Sequence, residues 1–100
     1  MRLAHLTFTV LPEAQHEALG VLLEEVPAVR AMEGCMAFIP FIDPTSTGGV
    51  GVLHEWATEE DFAAYLASPV FAASGARLFP LMTHEPDSRR FNAEIVASAN

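Results

Sequence analysis

Hydrophobic and polar residues alternate from the start of the chain. In "LAHLTFTV", Ala4, Leu6, Phe8 and Val10 fall on one side and His5, Thr7 and Thr9 on the other, which is the period of a β-strand with one more polar face. The period then lengthens. Pro12 suits the first turn of a helix, where its missing N–H is not needed. Leu19, Leu22, Val26 and Val29 recur at helical spacing and line one face of a helix running from Glu13. Glu13, Glu17, Glu24 and Glu25 are assigned to its outer face. Pro27 is expected to bend or end this helix, or to open a short continuation of it. Gly34 is expected to terminate it in the left-handed conformation that helix ends favour.

"CMAFIPFI" reads as a second strand with apolar residues on both faces, and Pro40 within it marks an edge position or a bulge. "DPTSTGG" is a loop between antiparallel strands, since no helix start follows to make it a phosphate cradle. "VGVLHEW" is the third strand. Thr58 caps the next helix, with Asp61 in the capping-box place, Glu59 and Glu60 near the positive helix end, and Phe62, Tyr65 and Leu66 as the inward stripe. Ser68 and Pro69 restart the geometry, a cap followed by a proline at the first helical position, so "VFAASGARLFPLM" continues as a further short helix. Pro80 and Pro86 close that region. "RRFNAEIV" is the last strand, with Phe91, Ala93 and Ile95 on one face and Arg90, Asn92 and Glu94 on the other.

The order strand, helix, strand, strand, helix, strand is the split βαβ arrangement of an α+β fold, an antiparallel four-stranded sheet with its helices on one face. Apolar residues on both sides of the strands would leave the second face bare. Face-to-face packing of two sheets would cover it, so a homodimer is expected.

Composition narrows the picture. The 100 residues suit one domain, residues 1–100, and a content of 51% hydrophobic and 18% charged residues excludes disorder. No apolar run approaches the ~20 residues of a membrane helix, and the amino end lacks the pattern of a signal peptide, so it reads as a mature start. Five arginines and no lysine against thirteen carboxylates give a net charge of -8, which repels phosphate backbones and anionic membranes. Neither nucleic acid nor a membrane is expected as a partner. A lone Cys35 cannot form an internal disulfide and reads as a buried thiol; a reducing compartment, the cytoplasm, is expected.

The order and spacing of "EGCMAFIPFIDP", "VLHEW" and "ATEEDFAAYLASPVF" resemble the antibiotic biosynthesis monooxygenase family across nearly the whole chain. The most specific features are Gly34 and Cys35 opening the second strand, Asp43 and Pro44 ending it, Glu55 and Trp56 ending the third, and "LASPVF" breaking the second helix. The resemblance implies a ferredoxin-like fold that dimerises into a shared α+β barrel, with a mostly apolar pocket between helices and sheet in each subunit. It implies no single reaction, because members include cofactor-independent oxygenases of phenols and quinols, heme-degrading enzymes and proteins with no established activity. Tyr65 stands where many members carry a histidine. The heme-degrading branch has an iron-binding histidine where Gly75 lies here and an asparagine near Leu6, so heme degradation is disfavoured.

His54 is the leading candidate for a catalytic base, with an ordinary pKa of ~6.5 suited to taking a phenolic proton. Trp56 shares its strand face and offers stacking or an indole N–H, while the Tyr65 hydroxyl offers a donor. Leu6, Phe38, Phe62 and Phe71 are candidate walls of a substrate pocket, and Asn92 a candidate amide for a substrate carbonyl. Packing is the competing reading for each. His5, His16, His54 and His84 show no metal-binding spacing, so no metal is expected. The expected function is monooxygenation of a small phenol, quinol or anthrone-like substrate. Such a substrate, once deprotonated, reduces O2 itself, so no cofactor is called for. The alternative is a non-catalytic dimeric carrier or sensor of small aromatic molecules.

Overall fold

The elements follow one another as β1 (Arg2–Thr9), a 3-10 turn (Pro12–Ala14), α1 (Gln15–Arg30), β2 (Cys35–Ile42), β3 (Gly49–Trp56), α2 (Glu59–Leu66), α3 (Pro69–Leu78), a second 3-10 turn (Phe79–Leu81) and β4 (Asp87–Asn92). They are taken from a computed structural model that describes residues 1–99. The strands form one antiparallel sheet in the order β2-β3-β1-β4, so β3 is inserted between the two strands that α1 connects. This is the ferredoxin-like α+β arrangement that the alternation of periods predicts.

Strand register decides which side chains meet. Ala4 of β1 lies opposite His54 on one side and Arg90 on the other, and His54 lies opposite Phe38. Residues directly opposite share a sheet face, so Phe38, His54, Ala4 and Arg90 form one row across the side that faces the helices. Pro40, Val52, Leu6 and Ser88 form the next row. Trp56, Arg2 and Asn92 form the row on the opposite side of the first. The even-numbered residues of β3 and β1 are thus the inner ones, and Val50, Val52, Trp56, Ala4 and Phe8 are all buried in the core.

Helix α1 lies along this face and is tied to the sheet at both ends. The Gln15 side chain donates to the carbonyl of Gly49 at 2.9 Å, and Arg30 donates to the carbonyl of Phe38 on the edge strand at 2.9 Å. Its inner stripe is Ala18, Val21, Leu22, Glu25 and Val29. One expectation fails here: Glu25 is not on the outer face but buried. Of the outcomes open to Pro27, ending the helix is the one that does not occur, since α1 continues to Arg30. Pro27 stands on the exposed side, where water can serve the Leu23 carbonyl that lost its N–H partner, while burial of Val29 holds the last turn on the core.

Gly34 terminates the segment at φ +79°, and Pro40 does occupy an edge strand, with a register shift between Cys35 and Ala37. Thr58 Oγ1 accepts from the Asp61 N–H at 3.0 Å, and Ser68 Oγ accepts from the Phe71 N–H at 3.2 Å, so each short helix has the cap its sequence provides. β4 begins earlier than expected, at Asp87, and ends at Asn92. Just beyond Asn92, Ala93 and Met1 exchange hydrogen bonds: the Ala93 N–H donates to the Met1 carbonyl at 2.9 Å and the amino terminus donates to the Ala93 carbonyl at 2.8 Å. Ile95 and Val96 are exposed instead of continuing the strand. No single helix is long and apolar enough to cross a membrane.

Candidate active site

Between the helices and the two inner rows lies a cavity of about 100 Å³. Its floor is Leu6 and Val52 with Phe38 and His54, and its roof comes from α1, α2 and α3 through Leu22, Tyr65 and Leu78. Phe62, Leu66 and Phe71 complete an apolar lining, and Phe79, itself largely exposed, borders it beside Gly75. A Cβ on Gly75 would come within 3.3 Å of the Phe79 ring, so the glycine leaves that ring room to lie close. Volume sets a limit on the occupant. An apolar cavity of ~150 Å³ accepts benzene, so this smaller one sets a single ring as the upper limit.

His54 is 5% exposed and ringed by aromatic side chains. The centroids of Phe38, Phe62 and Tyr65 lie 5.6, 5.6 and 5.7 Å from its own. Its Nδ1 accepts a hydrogen bond from the Trp56 indole N–H at 2.9 Å. An indole nitrogen only donates, so Nδ1 carries no proton and the neutral ring must carry its proton on Nε2. Burial, reinforced by the positive charges of Arg90 and then His5, pushes this imidazole down to about 4. At neutral pH His54 is therefore an uncharged Nε2–H donor. The base role expected of it does not suit this tautomer, because one nitrogen is already bonded and the other already protonated.

Trp56, fully buried, stacks on Tyr65 with ring centroids 5.1 Å apart and planes 22° from parallel. Its N–H is committed to His54, and it does not line the cavity, so it orients the imidazole and is not itself a donor to a ligand. Tyr65 does line the cavity, and burial, then the charge of Glu25, pushes its hydroxyl well above the ordinary phenol value. Leu6, Phe38, Phe62 and Phe71 all line it as well. Asn92 does not. It sits in the Trp56 row, one step beyond the cavity, and is exposed. Its strand neighbour Arg90 lines the cavity instead, its guanidinium 5.2 Å from the centre of the Phe62 ring.

Sequence reasoning also missed Glu25. It lines the cavity from α1, is 8% exposed, and neither carboxylate oxygen has a hydrogen-bond partner. Burial pushes its carboxyl up to about 7, offset in part by the nearby Ser74 hydroxyl. The signal was present in the spacing, since Glu25 falls three residues after Leu22 and four before Val29. Cys35 lies outside the cavity, and burial raises its thiol pKa, which keeps it protonated. Among the described residues no three His, Cys, Asp or Glu side chains converge on a point that would hold a metal ion.

The helices and the ferredoxin-like sheet thus enclose a small apolar cavity with a buried neutral imidazole in its floor. The sequence matches the antibiotic biosynthesis monooxygenase family over residues 1–77, and the chain belongs to that family. Solved structures agree on the fold. A candidate antibiotic biosynthesis monooxygenase from Deinococcus radiodurans superposes with a TM-score of 0.89 at 19% identity, covering 100% of this chain and 99% of its own. One from Caulobacter crescentus has a TM-score of 0.87 at 23% identity, covering 94% of this chain and 90% of its own. The Rv0793 protein of Mycobacterium tuberculosis has a TM-score of 0.85 at 17% identity, covering 98% and 100%. No curated protein is significantly similar in sequence.

Proposed function

We propose that this chain is a cofactor-independent monooxygenase acting on a single-ring phenol or hydroquinone. The observation that carries the reading is the Trp56–His54 hydrogen bond, which makes His54 a preset Nε2–H donor in the floor of a mostly apolar cavity no larger than one ring. Family membership supports the same chemistry. A cavity this small favours one ring over the anthrone-like tricycles.

Loss of the phenolic proton leaves an electron-rich anion whose oxygen accepts from Nε2–H of His54. Such a donor, fixed before the ligand arrives and shielded from water, stabilises the anion without reorganisation. O2 then adds at a ring C–H position, the O–O bond breaks, one oxygen stays as a quinone carbonyl and the other leaves as water. The ring gives up the four electrons that O2 takes, so no other reductant is needed. Arg90 at the cavity wall places a positive charge near the developing anion.

Oxygen uptake by the purified, metal-free protein tests this, with phenol, methylhydroquinone and anthrone as substrates and protein-free autoxidation subtracted. Uptake is expected with the single-ring compounds, with at least a ~10-fold loss in His54→Phe. Binding without uptake would instead establish the carrier or sensor reading.

We also propose that the chain works as a homodimer through the outer sheet face. Ile39 and Phe41 are exposed there, Leu53 is only half-buried beside Ile39, and Phe91 is half-buried on the far edge strand. The Phe41 ring lies over Gly51, where a Cβ would meet it at 2.5 Å. A second copy offers a matching apolar sheet in face-to-face packing.

A further inference from the structure

We infer that Glu25 is the proton acceptor of this cavity and that, together with His54, it equips the chain to enolise a small cyclic ketone. This inference rests on the same cavity and the same His54 tautomer as the oxygenase reading, but it needs no oxygen. A carboxylate kept for structure is paired, since an unpaired buried charge is costly. Glu25 is 8% exposed, both of its oxygens are shielded, and neither is paired with a cation; the group that offsets its burial is the neutral Ser74 hydroxyl. It comes from the helix layer, while His54 comes from the sheet below, and both line one apolar space. The ligand they bracket therefore has an acceptor for a proton on one side and a donor to an oxygen on the other.

The remaining polar groups do not compete for the role. Tyr65 is held protonated by burial and by the charge of Glu25 itself, His54 presents a protonated nitrogen, and Arg90 is a cation. Ser74 lies beside Glu25 on α3 and does not ionise. The carboxyl of Glu25, raised to about 7, is poised where a general base works best at neutral pH. A carboxylate base working with a neutral imidazole that donates to the carbonyl oxygen is a known division of labour for proton abstraction next to a carbonyl.

The step is balanced without a redox partner. The C–H bond next to the carbonyl breaks, and its proton goes to a Glu25 oxygen. Its electron pair forms the C=C bond of an enolate, and the negative charge comes to rest on the oxygen that accepts from Nε2–H of His54. Return of the proton to the same carbon exchanges it, and return to a conjugated carbon moves the double bond.

The test is hydrogen–deuterium exchange into cyclohexanone and cyclohex-2-enone in D2O under nitrogen, followed by proton NMR. The wild type is expected to exchange the protons next to the carbonyl, or the conjugated ones, faster than buffer. Glu25→Gln is expected to lose at least ~100-fold of that rate with an unchanged or higher Tm, and Glu25→Asp to retain part of it. Glu25→Gln within about threefold of wild type, or a wild-type rate equal to buffer, would overturn the inference. Failure of oxygen uptake with exchange intact would sink the oxygenase alone, and uptake without exchange would sink only the enolisation.

Discussion

Trp56 gives its indole N–H to Nδ1 of His54 at 2.9 Å, and the two residues are neighbours on one face of β3. One strand therefore supplies both the imidazole and the group that sets its tautomer. In wild type, long-range ¹H–¹⁵N correlation spectra should show His54 protonated on Nε2 and not on Nδ1. Trp56→Phe keeps a ring to stack on Tyr65 but leaves Nδ1 buried without its donor and opens a void. A loss of about 2–4 kcal/mol in urea unfolding is expected.

Stability against pH reports the two buried groups together. Glu25 is raised from an ordinary 4.5 to about 7, so between these values the folded chain holds a proton that the unfolded chain has released, and stability falls as pH rises. His54 is lowered from 6.5 to about 4, so in that range the unfolded chain binds a proton that the folded chain refuses, and stability falls as pH drops. The slopes are opposite and cancel between pH 4.5 and 6.5. Tyr65 and Ser74, which also face Glu25, stay neutral throughout this window. Glu25→Gln should uncover a loss on acidification on the order of 3 kcal/mol, and His54→Phe a similar loss on raising pH from 4.5 to 7. Urea midpoints across the window decide it; parallel profiles for all three proteins would contradict the assignment.

Gly34 carries a positive φ, and a Cβ there would meet the Asp61 carboxylate at 2.0 Å and the Asp61 Cβ at 2.7 Å. Gly34→Ala combines left-handed strain with displacement of the first turn of α2. It should cost about 2–4 kcal/mol and loosen the start of that helix. Amide exchange at the α2 amino end, measured alongside the unfolding curve, separates this from a purely local effect.

Phe41→Glu places a charge on the outer sheet face where the edge strand β2 meets Gly51 of β3. Light scattering should report twice the 10.8 kDa chain mass for wild type and a single chain for the variant. A monomeric wild type at micromolar concentration would dismiss the homodimer.

Much of the fold was legible in local pattern. The alternation of Ala4, Leu6 and Phe8 found the inner face of β1, and Thr58 and Ser68 announced two helix starts, because periodicity and caps act within a few residues. The candidate site was half legible. His54, Tyr65 and the phenylalanines follow from face and size, but the exchange of Asn92 for Arg90 turns on register with β1, which no single strand encodes. Glu25 was hidden by a sound generalisation, that charges on a helix face water. Glu25 is where that generalisation fails, and the helical spacing of its apolar neighbours was the trace it left. Pro27 left bending, ending and continuation open, and burial of Val29 on the core decides for a helix that runs on to Arg30.

Around pH 5.5, both His54 and Glu25 would be ionised in an unfolded chain, and folding extinguishes both charges. Arg90 then carries the only formal charge among the described residues that line the cavity. Above pH 7 Glu25 adds a negative charge to the same lining, which then holds one group of each sign. A ring bearing its own carboxylate would therefore meet a lone cation at pH 5.5 and a cation offset by an anion above pH 7.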